Sequence, residues 1–161
     1  MKVGFIGLGI MGKPMARHLI NGGHTLWLHS RSGVSPELAA AGGKACTSAR
    51  EVAAAADIVF LMLPDTPDVE AVLFGKDGVA SGLSQGKTVV DMSSISPIDT
   101  KAFAKKINDL GCDYLDAPVS GGEVGAKAAS LTDSMKTLMT SLGLDTSGVI
   151  APTVSTTPTS A

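Results

Sequence analysis

The opening residues constrain the fold more than any other part of the chain. The short apolar run Lys2–Ile6 leads into a G-x-G-x-x-G turn, and a stretch with helical character follows from Lys13 to Asn21. In such a strand–turn–helix unit, the first glycine permits a tight turn, the second lets a pyrophosphate approach the backbone, and the third lets the helix pack closely on the sheet. The helix N-terminus then directs backbone amides at the phosphates. The pattern predicts a dinucleotide site at Gly7, Leu8, Gly9, Ile10, Met11 and Gly12; the alternative is a glycine-rich turn that binds no ligand.

Strand and helix signals alternate along the chain. Ser35-Pro36-Glu37 and Ser96-Pro97 are typical helix starts, because each places a serine cap before a proline. Residues 57–63 are predicted as a strand, because the aspartate at 57 is followed by a continuous apolar run, as in a strand buried on both faces. The alternation predicts an α/β fold with a doubly wound, Rossmann-type parallel sheet and a ligand at the carboxyl ends of its strands. The strands are predicted at residues 2–6, 25–29, 44–46, 57–63, 87–91 and 114–117, and the site loops at 7–12, 30–32, 63–66, 92–96 and 117–122.

The end of the second predicted strand bears on the choice of cofactor. An NAD site usually has an Asp or Glu about 20 residues beyond the glycines, where it accepts a hydrogen bond from the ribose 2′-hydroxyl. This chain has Ser30, Arg31 and Ser32 instead. A guanidinium and hydroxyl groups bind a 2′-phosphate, which a carboxylate would repel. NADP(H) is therefore favoured over NAD(H); the alternative is that Arg31 is only a solvated loop cation.

The ends of the later strands carry the remaining candidates. Leu63 and Pro64 close the fourth strand beside the predicted cofactor, and the hydroxyl of Ser94 follows the fifth strand toward the nicotinamide end. The alternative for the serines at 93, 94 and 96 is helix capping, which is favoured for Ser96 because Pro97 follows it. Asp65 and Asp68 are interpreted as residues of a helix first turn. After the sixth strand, a turn offers a hydroxyl and bare amides to a carboxylate, unless it is purely structural; its residues are Ser120, Gly121 and Gly122.

Composition excludes several classes of function. The chain has 161 residues, 44% of them hydrophobic, and a net charge of -2, so no nucleic-acid or membrane partner is expected. No apolar run approaches the ~20 residues of a membrane span. The histidines at 18, 24 and 29 show no ligand spacing, so no metal site is expected. The two cysteines, Cys46 and Cys112, fit a reduced chain, and the absence of a signal-peptide pattern favours a cytoplasmic location.

Four motifs in order resemble those of the β-hydroxyacid dehydrogenases. They are Phe5 to Ala16 (FIGLGIMGKPMA), Met62-Leu63-Pro64, Asp91 to Pro97 (DMSSISP) and Asp116 to Glu123 (DAPVSGGE). The resemblance implies that Gly7 to Met15 hold the pyrophosphate and that Leu63 and Pro64 line the cofactor. It also implies that Ser94 lies near the nicotinamide and that Ser120, Gly121 and Gly122 bind the substrate carboxylate.

The family moves a hydride between NAD(P)H and a small β-hydroxyacid or its aldehyde. Pro64-Asp65-Thr66-Pro67 and Leu73-Phe74-Gly75 favour the branch that reduces tartronate semialdehyde to D-glycerate. The alternative substrates are 3-hydroxyisobutyrate, glyoxylate and succinic semialdehyde. The implied partner is therefore a small hydroxyacid or semialdehyde.

The resemblance covers residues 1–132, which are expected to form the dinucleotide-binding domain. Residues 133–161 diverge from the family, end in a Ser/Thr/Pro-rich stretch and are expected to be a partly disordered tail. The family's all-helical second domain, with its general acid/base lysine, has no counterpart, so no catalytic residue is assigned and the isolated chain is expected to be inactive. The alternatives are a non-catalytic binding module and a truncated or frame-shifted product. Self-association through exposed apolar surface is a further expectation.

Overall fold

The structure, a computed structural model, describes residues 1–118, and within them six strands form one parallel sheet in the order β3-β2-β1-β4-β5-β6. The strands are β1 (Lys2–Ile6), β2 (Thr25–His29), β3 (Lys44–Ala45), β4 (Ile58–Leu61), β5 (Thr88–Asp91) and β6 (Asp113–Asp116). The helices are α1 (Gly12–Asn21), α2 (Pro36–Ala40), α3 (Ala49–Ala55), α4 (Thr66–Phe74), α5 (Val79–Gly82) and α6 (Pro97–Asn108). The predicted doubly wound parallel sheet is confirmed. The predicted tail, residues 133–161, lies outside the described residues.

Each face of the sheet has its own hydrophobic core, because successive strand residues point to opposite faces. On one face, Phe5 stacks on Phe60 with 6.2 Å between ring centroids, and α1 and α2 contribute to the same cluster. On the other face, Ile6 packs in a cluster to which α3, α4, α5 and α6 contribute. A Cβ on Gly4 would lie 2.5 Å from Cγ1 of Val52, so α3 packs directly on the backbone of β1. All four residues of β4 are buried, as its apolar sequence predicts.

Most helix starts follow the sequence signals. The hydroxyls of Ser35, Ser48 and Ser96 accept from backbone amides in the first turns of α2, α3 and α6. In α4 the cap is Asp65, one residue before the helix, while Asp68 lies in the first turn. Helix α5 was not predicted, because a single turn that starts after Gly78 and ends at Gly82 carries no periodic apolar pattern. None of the helices within residues 1–118 is both long and apolar enough to cross a membrane.

The strand order creates a switch point beside β1. From β1 the chain builds outward through β2 and β3 on one side, and it then returns to build β4, β5 and β6 on the other. The loops that leave neighbouring strands at such a point run in opposite directions, which opens a crevice at the carboxyl edge of the sheet. The loops after β1, β2 and β4 meet there.

Candidate functional site

A cleft of about 460 Å³ occupies the switch point. Of the twelve residues that the sequence assigns to the cofactor, eleven line it: Gly7, Leu8, Gly9, Ile10, Met11, Gly12, Ser30, Arg31, Ser32, Leu63 and Pro64. Ser94 is not among the lining residues and is exposed. The predicted substrate residues Ser120, Gly121 and Gly122 lie outside the described part of the chain.

Glycine occupies the three motif positions for different structural reasons. Gly7 has a φ of +98°, and its amide donates to the carbonyl of His29 over 3.1 Å, so it turns the chain tightly between β1 and the cleft. A Cβ on Gly12 would overlap the carbonyl oxygen of Gly7, which requires glycine where α1 starts against the turn. A Cβ on Gly9 would meet nothing within 4 Å. Gly9 therefore leaves open space beside the backbone, whereas Gly7 and Gly12 permit the turn itself.

The N-terminus of α1 differs from those of α2, α3, α4 and α6. Each of those four helices has a side-chain cap and an acidic residue in its first turn. In α1 the N-cap is Met11, no side chain caps the helix, and the first turn holds no acid. The amide of Lys13 donates to the carbonyl of Gly9 over 3.0 Å. Within residues 1–118, it is the first amide of α1 that pairs with a backbone carbonyl. The positive end of α1 thus faces the cleft without a charge of its own to offset it.

The loop after β2 gives the cleft polar and cationic groups. The hydroxyl oxygens of Ser30 and Ser32 are 3.3 Å apart, and the side chain of Arg31 is 85% exposed. Nη2 of Arg31 lies 3.6 Å from Oδ1 of Asp68, which reaches over from α4. His29 also lines the cleft, and its Nδ1 lies 3.2 Å from the carbonyl oxygen of Cys46.

A buried polar network supports the cleft from the side of β5. The hydroxyl oxygen of Ser93 accepts from the amide of Leu63 over 2.9 Å. The fully buried carboxylate of Asp91 accepts from the Ser93 amide over 2.9 Å and from the Tyr114 hydroxyl over 2.7 Å. Burial, together with the charge of Asp91, raises the pKa of the Tyr114 hydroxyl, and the same two causes raise the pKa of the Asp116 carboxyl. Leu63 is therefore held in the cleft wall by a side chain of the turn after β5.

The sequence analysis separated the three neighbouring serines only in part. Ser96 caps α6, as expected, by accepting from the Asp99 amide, and its own amide donates to the hydroxyl of Thr66. Ser93 is buried and braces Leu63, a role that was not predicted. Ser94 is exposed beside them.

Six residues in the cleft were missed by the sequence analysis: Ile6, His29, Met62, Asp68, Ala71 and Val72. Three of them carry a readable signal, because positions 68, 71 and 72 share one face of a helix that follows a predicted site loop. The other three are the last residues of β1 and β2 and the first residue after β4. Within residues 1–118, no cluster of His, Cys, Asp and Glu side chains is arranged to hold a metal ion.

Comparison with known proteins identifies the family to which the chain belongs. Residues 2–136 match the family model described as the NAD binding domain of 6-phosphogluconate dehydrogenase. The chain is 56% identical over 132 residues to 2-hydroxy-3-oxopropionate reductase of Escherichia coli, covering 82% of this chain and 45% of the relative. It is 47% identical over 133 residues to 2-(hydroxymethyl)glutarate dehydrogenase of Eubacterium barkeri, covering 82% of this chain and 44% of that protein. The chain thus spans about half the length of the curated relatives it matches.

Two solved structures show the same fold. One is a 3-hydroxyisobutyrate dehydrogenase from Salmonella typhimurium, with a TM-score of 0.75 and 32% identity over 92% of this chain and 53% of that chain. The other is Psf3 in complex with NADP+ and 2-OPP, with a TM-score of 0.74 and 29% identity over 87% of this chain and 52% of that chain. Both the family model and this complex agree with binding of a nicotinamide dinucleotide. The chain belongs to the family of the 6-phosphogluconate dehydrogenase NAD-binding domain, within the β-hydroxyacid dehydrogenases, and it is a nicotinamide-dinucleotide-binding domain.

Proposed function

We propose that this chain is the NADP(H)-binding domain of an enzyme that reduces tartronate semialdehyde to D-glycerate. The observation that carries the cofactor part is the bare turn before α1. Gly9 leaves open space at the backbone, and α1 begins without a side-chain cap or an acidic first turn. A pyrophosphate supplies the negative charge and the acceptor oxygens that this helix end lacks.

Each wall of the cleft would hold a different part of the cofactor. The turn from Gly7 to Gly12 takes the pyrophosphate, and Leu63 and Pro64 present apolar surface from the end of β4. The polar loop after β2 takes the adenosine ribose. When bound, the nicotinamide ring supplies or accepts the hydride; the residues of this chain bind and orient the dinucleotide.

The preference for NADP(H) rests on the loop after β2. This loop has no carboxylate to accept from a ribose 2′-hydroxyl, and it offers instead the Arg31 guanidinium and the hydroxyls of Ser30 and Ser32. Charge-assisted contacts from a guanidinium suit a phosphate.

The substrate assignment rests on the relative that is 56% identical. The substrate is a small semialdehyde or hydroxyacid, whose carboxylate would meet Ser120, Gly121 and Gly122, with Ser94 toward the nicotinamide end. We assign the role of general acid/base to none of the described side chains. We therefore expect that the chain alone binds the cofactor but does not oxidise NADPH with tartronate semialdehyde or glyoxylate; measurable turnover would overturn this part of the proposal.

Calorimetry with NADPH and NADH tests the cofactor site. Gly9→Val fills the space beside the turn and is expected to abolish binding of both cofactors. Ala40→Val adds the same side chain at an exposed position of α2 outside the cleft and should leave both affinities unchanged. Equal affinity of Gly9→Val and the unmodified chain would refute the pyrophosphate assignment.

Arg31→Ala tests the preference between the two cofactors. The loss of one charge-assisted phosphate contact is expected to weaken NADPH binding by about 10-fold or more, with little change for NADH. A parallel change for the two cofactors would show that Arg31 does not contact the 2′-phosphate.

A further inference from the structure

The ion pair between Arg31 and Asp68 spans the cleft at the place where the adenosine ribose is proposed to bind. Arg31 belongs to the loop after β2, and Asp68 belongs to the first turn of α4, which follows β4. Both residues line the cleft, and their nearest side-chain atoms are 3.6 Å apart. We propose that Asp68 acts as an internal anion that competes with the cofactor 2′-phosphate for Arg31 and so narrows the preference for NADP(H) over NAD(H). This inference rests on the proposed function.

The two partners differ in how firmly they are held. The side chain of Asp68 is 29% exposed and sits on a helix, whereas that of Arg31 is 85% exposed and sits on a loop. A distance of 3.6 Å is longer than a charge-assisted hydrogen bond, which is about 2.7–2.9 Å between heavy atoms. The pair is therefore mainly a Coulombic attraction, and the guanidinium can turn to a phosphate without breaking a tight bidentate contact. The Asp68 carboxylate, which belongs to a helix and is the less exposed of the two groups, has less freedom to turn away.

The consequence differs for the two cofactors. A 2′-phosphate bound to Arg31 places a second strong anion beside the Asp68 carboxylate, and the two negative groups repel each other. In NAD(H) the same ribose carries a neutral 2′-hydroxyl. This hydroxyl can donate a hydrogen bond to a carboxylate and is not repelled by it. Asp68 therefore opposes NADP(H) binding and is neutral or favourable for NAD(H).

Asp68→Asn removes the charge and keeps the size of the side chain. Because exposed charge pairs contribute about 0.2–1 kcal/mol, NADPH is expected to bind about 1.4- to 5-fold more tightly to this variant, with NADH unchanged or weaker. Added salt should shrink the gain, because the interaction is screened. Glu70→Gln is the matched control: it removes an exposed carboxylate from the same helix outside the cleft, and neither affinity should change.

Calorimetry of the 161-residue chain with both cofactors, at low and high salt, distinguishes the outcomes. Weaker NADPH binding to Asp68→Asn would overturn the inference, since Asp68 would then position Arg31 rather than compete for it. An unchanged ratio of NADPH to NADH affinity would overturn it too.

The Arg31 variants separate this failure from failure of the proposed function. If Arg31→Ala also leaves the ratio unchanged, the NADP(H) assignment fails; if Arg31→Ala lowers the ratio but Asp68→Asn does not raise it, only the role of Asp68 fails. In the double variant Arg31→Ala/Asp68→Asn, the replacement of Asp68 should strengthen NADPH binding less than it does when Arg31 is present, because the competition requires Arg31.

Discussion

The turn after β1 and the turn after β5 occupy similar places but are built in opposite ways. Both leave a parallel strand at the carboxyl edge of the sheet and lead into a helix. After β1, the turn consists of glycines and apolar residues, and no side chain caps α1. After β5, side chains supply the contacts: Asp91 accepts from the Ser93 amide, Ser93 accepts from the Leu63 amide, and Ser96 caps α6.

The comparison shows which of the two turns has backbone donors available to a ligand. Backbone donors at a helix start bind a ligand only where the chain's own side chains leave them free. The turn after β1 leaves them free, at the cost of a helix end that has no partner of its own. The turn after β5 satisfies its donors internally, and through Leu63 it braces the wall of the cleft that the first turn opens into.

The largest expected effect tests whether the glycines of the first turn really differ in purpose. Gly12→Ala would force a Cβ into the carbonyl of Gly7. We expect the free energy of unfolding to fall by about 3 kcal/mol or more, because neither the turn nor α1 can shift without disturbing the core. Urea denaturation measures this. Gly9→Val, which meets open space, should change the same quantity by less than about 1 kcal/mol; equal destabilisation of the two variants would erase the distinction.

A smaller effect is expected in the serine turn. Ser93→Ala removes the acceptor of the Leu63 amide and should lower the free energy of unfolding by about 1–2 kcal/mol. Its neighbour supplies the control, since Ser94→Ala truncates an exposed side chain and should change stability by less than about 0.5 kcal/mol. Thermal or urea unfolding of both variants checks the difference. If Ser94→Ala lowered the free energy of unfolding more than Ser93→Ala, the structural role would belong to Ser94 and the assignment to Ser93 would be wrong.

The smallest expected effect is a pH dependence in the same network. Burial and the nearby Asp91 charge raise the pKa of Tyr114 above its ordinary value of about 10. The unfolded chain therefore loses this proton at lower pH than the folded chain, so the stabilisation is fully present below pH 10 and declines as the pH rises above it. One such group contributes at most about 1.4 kcal/mol per pH unit.

The sole tyrosine of the chain makes this prediction directly measurable. The ultraviolet absorbance of tyrosinate should titrate above pH 10 in the folded chain and near pH 10 in denaturant. The stability of Tyr114→Phe should fall less steeply above pH 10 than that of the unmodified chain. A folded-state midpoint at or below 10 would contradict the buried contact with Asp91.

The sequence determines the parts of this protein that depend on local chemistry. The glycine motif, the serine–proline helix starts and the apolar run of β4 each act within a few residues, so the parallel sheet and the position of its cleft could be predicted from them. Of the five predicted site loops, those at 7–12, 30–32 and 63–66 contribute to the cleft, because the strands before them end at one edge. The predicted loop at 92–96 contributes no lining residue. The predicted end of β4 was wrong: residues 62 and 63, predicted within this strand, lie beyond its end and line the cleft.

Only the tertiary structure decided which side chains from distant segments meet. The contact between Arg31 and Asp68, and that between Ser93 and Leu63, join residues from different segments of the chain. The distances between these segments depend on how the strands are ordered and how α4 packs. No local pattern distinguishes Ser93 from Ser94, because their difference lies in which one contacts the segment after β4. The backbone periodicities and turn preferences of a sequence act over short range, whereas pairing across the sheet follows from the packing of the whole domain.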